Sequence, residues 1–154
     1  MTTNYRDVPE LQKYIDLVEN EGKNGVKKCC KWQKKLIKFV KKCFENENLT
    51  IDTEQLKKYM GLQKYFDFGL FEWEQFVFTL HCCVFREDGL PRFPDLLIFV
   101  ARGAGKNGYL AFEDFAMISP YSNLQQYDVD ICATAEEQAR TSFDDIYNVL
   151  EKHR

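Results

Sequence analysis

The chain has 154 residues, 45% of them hydrophobic and 29% charged, which suits one globular domain with a sizeable core and is too few for two full domains. Its formal net charge of −3 provides no general attraction to nucleic acid or to a membrane, so binding of a polyanion would require a local basic patch. The polar start of the sequence and the lack of a long apolar run argue against a secretory signal or a membrane span, and we expect a cytoplasmic protein.

Residues 1–90 have the pattern of an α-helical region. A short helix is predicted from Pro9 to Glu19 and a second over residues 24–46. In the second helix, apolar residues at helical spacing predict a buried face, and lysines occupy the other face. The apolar positions are Cys29, Trp32, Leu36, Ile37, Val40, Cys43 and Phe44, and the lysines are Lys31, Lys34, Lys35, Lys38, Lys41 and Lys42.

Two interpretations of this lysine face remain open. It could contact the phosphate backbone of DNA, or it could be a solvated face that keeps a surface helix soluble, and the second interpretation is favoured. Because the aromatic residues are assigned to the opposite, buried face, they do not interleave with the lysines. Base stacking is therefore not predicted.

Two further helices complete this region. Asp52 or Thr53 can cap a third helix that runs toward Gly61, and a fourth begins near Phe71. The six cysteines include two adjacent pairs and no pair with zinc spacing, so we expect reduced thiols. Turn-forming residues at 87–91 end the helical pattern.

Residues 91–154 have a different pattern. The apolar run at 96–101 predicts a strand covered on both faces, residues 109–118 a helix, and residues 127–133 a second strand. Thr134 is the expected N-cap of a last helix that ends near Lys152. The fold class predicted is α/β, with a partial parallel sheet flanked by helices after an α-helical amino-terminal region.

A glycine loop, residues 102–108, joins the first predicted strand to the helix that follows. Its glycines would let backbone N–H groups turn toward one anion, while Lys106 would bring a full positive charge to the β- and γ-phosphates of a nucleotide. The strict phosphate-binding pattern has glycine where this chain has Val100, and serine or threonine where it has Asn107. The alternative is an ordinary strand-to-helix turn in which the glycines serve only a positive φ.

A series of short segments resembles the amino-terminal region of the tailed-phage terminase large subunit. That family is a DNA-packaging motor in which a P-loop ATPase domain is joined to a nuclease domain. The resemblance covers roughly residues 70–150, about half the chain. Its segments are 71–76, 88–89, 92–93, 98–108 and 127–139.

The resemblance implies a relaxed Walker A loop that binds ATP with Mg²⁺. Arg102 would follow the γ-phosphate and stabilise charge in the transition state, which makes it the catalytic candidate. Gln75 would bind the adenine edge, Trp73 or Phe71 would stack on the base, and Asn107 would be the metal ligand. The implied cofactor-binding residues are Trp73, Gln75, Gly103, Ala104, Gly105, Lys106, Asn107 and Gly108.

The expected function is the ATPase segment of a viral genome-packaging terminase, in the cytoplasm of the bacterial host. The acidic strand end and the nuclease domain of the family have no counterpart here, so hydrolysis by this chain alone is not expected. The alternative is a noncatalytic, terminase-derived protein that binds partners through its basic helix or an exposed sheet edge. The partners implied are ATP, DNA through Lys31, Lys34, Lys35, Lys38 and Lys42, other terminase or portal subunits and further copies of the chain, with no membrane.

Overall fold

The computed structural model describes residues 4–21, 23 and 29–153. It is mostly helical, at 61%, with one small antiparallel pair of strands, β1 (Thr50–Ile51) and β2 (Val84–Phe85). Short 3-10 turns lie at Tyr5–Asp7, Gly61–Tyr65 and Pro120–Ser122. The helices are α1 (Pro9–Glu19), α2 (Lys31–Asn46), α3 (Thr53–Met60), α4 (Glu72–Cys83), α5 (Lys106–Ile118) and α6 (Glu136–Lys152).

These elements form two compact units that interleave along the sequence. The first contains the described residues up to Thr53 together with Glu72–Leu96. The second contains Glu54–Phe71 and the described residues from Leu97 onward. The division differs from the predicted one, at residue 90, because α3 and the turn after it belong with the carboxyl-terminal helices.

The first unit has a core built on α1. This helix packs against α4 and α2, and the ring of Tyr14 lies 5.0 Å from that of Phe76, which is fully buried. Beside the strand pair, Arg92 donates to both carboxylate oxygens of Glu47, at 2.5 and 2.8 Å. These bonds stabilise the ionised carboxylate and lower the pKa of Glu47.

Helix α2 was only partly predicted. It begins at Lys31, and residues 24–28 of the predicted helix lie outside the described residues. Val40 is buried as predicted, but Trp32 is 63% exposed and Leu36 38% exposed. The expected buried face was too broad, because only one arc of a helix can face its neighbours.

The second unit has a core of aromatic rings. Helix α5 packs against α6, and the ring of Phe66 meets those of Phe112 and Phe115 edge-on, at 5.7 and 5.5 Å. Lys152 near the end of α6 donates to Asp67 at 3.0 Å. Helix α5 begins three residues before the predicted start, and it is this helix that positions the glycine loop.

The two predicted strands of a parallel sheet are not formed. Residues 96–101 and 127–133 have no regular secondary structure, and the described residues contain no parallel sheet. Leu97 is 91% exposed and Phe99 98% exposed, although the sequence predicted a strand covered on both faces. Strands need hydrogen-bonding neighbours and a covering layer, and neither segment has them here.

The cysteine side chains differ in burial. Cys43, Cys82 and Cys83 are buried, whereas Cys30 and Cys132 are exposed. Burial raises the pKa of Cys83 to about 12, so its reactive thiolate is scarce at mildly alkaline pH. We expect iodoacetamide to modify Cys30 and Cys132 in the folded protein and the three buried thiols only after unfolding. Peptide mapping by mass spectrometry measures this, and early modification of Cys83 would contradict the packing of α4.

Candidate functional site

The glycine loop has the backbone geometry that its glycines allow. Gly103 has φ 82° and Gly105 φ 92°, both in the left-handed region that other residues adopt only with strain. Between them, the amide of Ala104 donates to the carbonyl of Ala101 at 3.2 Å. The chain therefore makes a tight turn that delivers Gly105 as the N-cap of α5.

The first amides of α5 are available to an anion. The first α-helical hydrogen bond runs from the amide of Tyr109 to the carbonyl of Gly105, at 3.0 Å. The amides of Lys106, Asn107 and Gly108 precede it and have no acceptor within the helix. Together with the helix dipole, such amides form an environment that favours negative charge.

The two side chains at the start of α5 interact with each other. Both Lys106 and Asn107 are exposed, and the ammonium of Lys106 donates to Oδ1 of Asn107 at 3.2 Å. This bond keeps the positive charge of Lys106 close to the first turn of α5. It also disfavours a metal ion at that same oxygen, because two cations would lie side by side unless phosphate oxygens separated them. In this geometry Lys106 is well placed to bind a phosphate, whereas Asn107 is poorly placed to bind Mg²⁺.

Arg102 is exposed at the start of the turn. In the described part of the chain, no ion pair includes its guanidinium. The loop residues 102–108 thus carry two positive side chains and no carboxylate. This local charge is what a phosphate-binding loop requires.

Gly108 has a packing role that the sequence did not reveal. A Cβ atom at this position would lie 3.2 Å from two ring atoms of Phe68, a contact tighter than ordinary packing. Glycine thus lets the ring of Phe68 rest against the first turn of α5. No local pattern marks Phe68, because its position depends on a contact between distant parts of the sequence.

Trp73 and Gln75 lie on α4 in the first unit, whereas the glycine loop belongs to the second. Both side chains are half-buried, and the carbonyl of Gln75 accepts a hydrogen bond from Thr79 Oγ1 at 2.7 Å. Residues two apart on a helix project from different faces. Helix α4 therefore holds Trp73 and Gln75 on different faces in the first unit, and residues 102–108 lie together at the start of α5 in the second.

Comparison with protein-family models, curated proteins and solved structures finds no match to this chain. The terminase resemblance and the nucleotide site therefore remain predictions.

Two features of the structure concern the predicted metal and membrane properties. Over residues 4–21, 23 and 29–153, no helix is long and apolar enough to cross a bilayer. In the same residues, no group of three or more His, Cys, Asp or Glu side chains is arranged to hold a metal ion. A Mg²⁺ ion that arrives with a nucleotide needs only one or two protein ligands, so the Mg²⁺ prediction does not require such a group.

Proposed function

We propose that the glycine loop binds the phosphates of ATP, in a chain that serves as the amino-terminal ATPase segment of a phage packaging terminase. One observation carries the proposal. Helix α5 begins at Lys106 directly after two left-handed glycines, so the exposed lysine stands in the same first turn as the amides that have no acceptor within the helix. An ordinary turn would need the positive φ values, but it would gain nothing from a lysine at this position.

The residues of the glycine loop have the chemistry to bind a nucleoside triphosphate. The amides of residues 106–108 would bind phosphate oxygens, Lys106 would neutralise their charge, and Arg102 would reach the terminal phosphate. When bound, Mg²⁺ would neutralise charge on the phosphates, with Asn107 as the loop residue that would hold it. We propose binding without hydrolysis by this chain alone, because the loop supplies donors and positive charge but no carboxylate to activate water.

A second candidate function, binding of another polypeptide, rests on the uncovered segments of the second unit. Side chains alternate in exposure along them: Leu97 and Phe99 are exposed around half-buried Ile98, and half-buried Val129 and Ile131 flank exposed Asp130. Alternation of this kind is the side-chain pattern of an extended strand, whose successive residues point to opposite faces. We propose that these segments pair as strands with another copy of this chain, which the resemblance would make a neighbouring terminase subunit in the host cytoplasm.

The nucleotide proposal predicts a specific effect of Lys106→Ala. Removing the ammonium should weaken ATP binding about ten- to hundredfold, the usual value of a hydrogen bond to a charged group. Isothermal titration with ATP and Mg²⁺ measures this. Lys58→Ala is the matched control, since Lys58 is an exposed lysine on α3 of the same unit, and its affinity should equal that of the unaltered chain. Equal affinities for all three proteins, or no binding by any, would reject the site.

A further inference from the structure

Helix α2 carries an apolar stripe that faces solvent. Trp32, Leu36 and Phe39 follow one another at helical spacing and are 63%, 38% and 49% exposed. Ile37 and Val40, on the neighbouring arc, are buried. The ring of Phe93, 6.3 Å from that of Phe39, extends the stripe beyond the helix.

A row of lysines runs beside this stripe. Lys34 forms an ion pair with Glu21, and Lys41 pairs with Glu19 at 2.7 Å. The remaining four lysines of the helix are exposed, and none belongs to an ion pair in the described part of the chain. They are Lys31, Lys35, Lys38 and Lys42.

The two rows have a fixed relation. Lysines immediately precede Trp32, Leu36 and Phe39, so the rows lie about 100° apart around the helix. The ammonium groups of Lys31 and Lys35 lie 5.3 and 4.7 Å from the centre of the Trp32 ring. The sequence pattern had placed Trp32 and Leu36 on the buried face, so it could not reveal that aromatic side chains and free lysines share one surface. We call these four lysines and Trp32, Leu36 and Phe39 the lysine–aromatic face.

We propose that the lysine–aromatic face binds single-stranded nucleic acid, with phosphates along the lysine row and bases on the apolar stripe. Lysines three and four residues apart are separated by about 4.5–6 Å along the helix, an interval comparable with that between neighbouring phosphates of an extended strand. Aromatic rings stack on any base, and free ammonium groups bind any phosphate, so little sequence preference is expected. This proposal concerns the first unit and does not rest on the nucleotide site.

Charge and geometry favour a single strand over two other polyanions. A duplex keeps its bases stacked inside, so no base face is available to the apolar stripe. A helix lying in a membrane interface presents a broad apolar face to the lipid, with its charged face opposite. In α2 the stripe lies between one lysine row and the buried flank that contains Ile37 and Val40, so the broad apolar face is already used by the protein core.

Binding would change the surroundings of Trp32. In the free protein its ring is contacted by the two ammonium groups, and phosphates would draw these away while a base takes their place on the ring. The fluorescence of Trp32 should therefore be quenched by the oligonucleotide. Trp73 also fluoresces. The contribution of Trp32 is therefore the difference in quenching between the unaltered chain and Trp32→Phe.

The test titrates the full chain with a fluorescent oligothymidylate, with a duplex of the same length, and with vesicles of phosphatidylcholine and phosphatidylserine. We expect the oligothymidylate to bind most tightly, with an affinity that falls steeply as salt is added. Lys35→Glu with Lys38→Glu should weaken binding about tenfold or more and reduce the salt dependence, because two phosphate contacts are lost. Trp32→Ala should weaken binding about tenfold with the salt dependence unchanged, because stacking is lost without a charge.

Lys13→Glu is the charge control, since Lys13 is an exposed lysine of the same unit that lies on α1 and not on the lysine–aromatic face; it should leave affinity within about twofold, because it makes no direct phosphate contact and its charge is screened by salt. Retention of the circular dichroism of the unaltered chain shows that each variant is folded. Absence of binding at low salt, tighter binding to the duplex or to vesicles, or full affinity in Trp32→Ala would each overturn the proposal.

Discussion

Phe112→Ala is expected to lower the free energy of unfolding of the second unit by about 3–5 kcal/mol, as truncation of a fully buried phenylalanine usually does. Phe112 has no exposed surface, and its ring packs edge-on against that of Phe66. The substitution removes this contact and leaves a cavity beside α5, the helix that holds the glycine loop. Hydrogen exchange of the α5 and α6 amides, followed by mass spectrometry, reports the stability of this unit.

Phe143→Ala is the matched control for this substitution. Phe143 lies on α6 of the same unit and is 58% exposed, so its loss should change stability by no more than about 0.5 kcal/mol. Similar exchange rates in the two variants would mean that Phe112 is not in a packed core. The same measurement serves as a control for the nucleotide experiment. A variant that loses ATP binding because its second unit unfolds would show faster hydrogen exchange, whereas Lys106→Ala should leave the exchange rates unchanged.

Leu97→Ser combined with Phe99→Ser is expected to abolish most self-association of the chain. Both side chains are more than nine-tenths exposed, in a segment whose sequence favours a strand. Such a segment pairs with another copy when no other strand covers it. Burying these two side chains is worth about 3–6 kcal/mol in total, so the double variant should associate more than about a hundredfold more weakly. Sedimentation equilibrium over a range of concentrations measures this.

The control for this experiment changes exposed leucines elsewhere in the second unit. Leu124 is 52% exposed and Leu150 53% exposed, and neither lies in the two strand-like segments. Leu124→Ser with Leu150→Ser should therefore associate as the unaltered chain does. If the unaltered chain is monomeric throughout, or if both double variants associate equally, residues 97–100 are not a binding surface and the second candidate function is wrong.

The geometry of the glycine loop was the most predictable part of the candidate site. Gly103 and Gly105 can adopt a positive φ without strain, and the helix expected after them is present, although it begins earlier, at Lys106. These features depend on neighbours in the sequence. The contact between Gly108 and Phe68 could not be predicted in this way, since the two residues are far apart in the sequence.

The lysine–aromatic face shows the opposite case. Helical periodicity placed Trp32, Leu36 and Val40 together as apolar positions, but it cannot say which part of a wide apolar arc meets the core. That choice was made by the packing of α2 against α1, which leaves Val40 buried and Trp32 and Leu36 in solvent. Lys34 and Lys41 differ from the other four lysines of α2 because they form ion pairs. These ion pairs also depend on where α1 and the residues after it lie.

The sequence by itself determined the helices, the turn at the glycine loop and the positive charge around it, because these follow from interactions among residues close together in the chain. Tertiary structure decided which faces are buried and whether strand-like segments become strands. A strand is stabilised by hydrogen bonds to a neighbour and by a layer that covers it. Residues 97–100 have the composition of a strand but lack both, and so Leu97 and Phe99 remain in solvent.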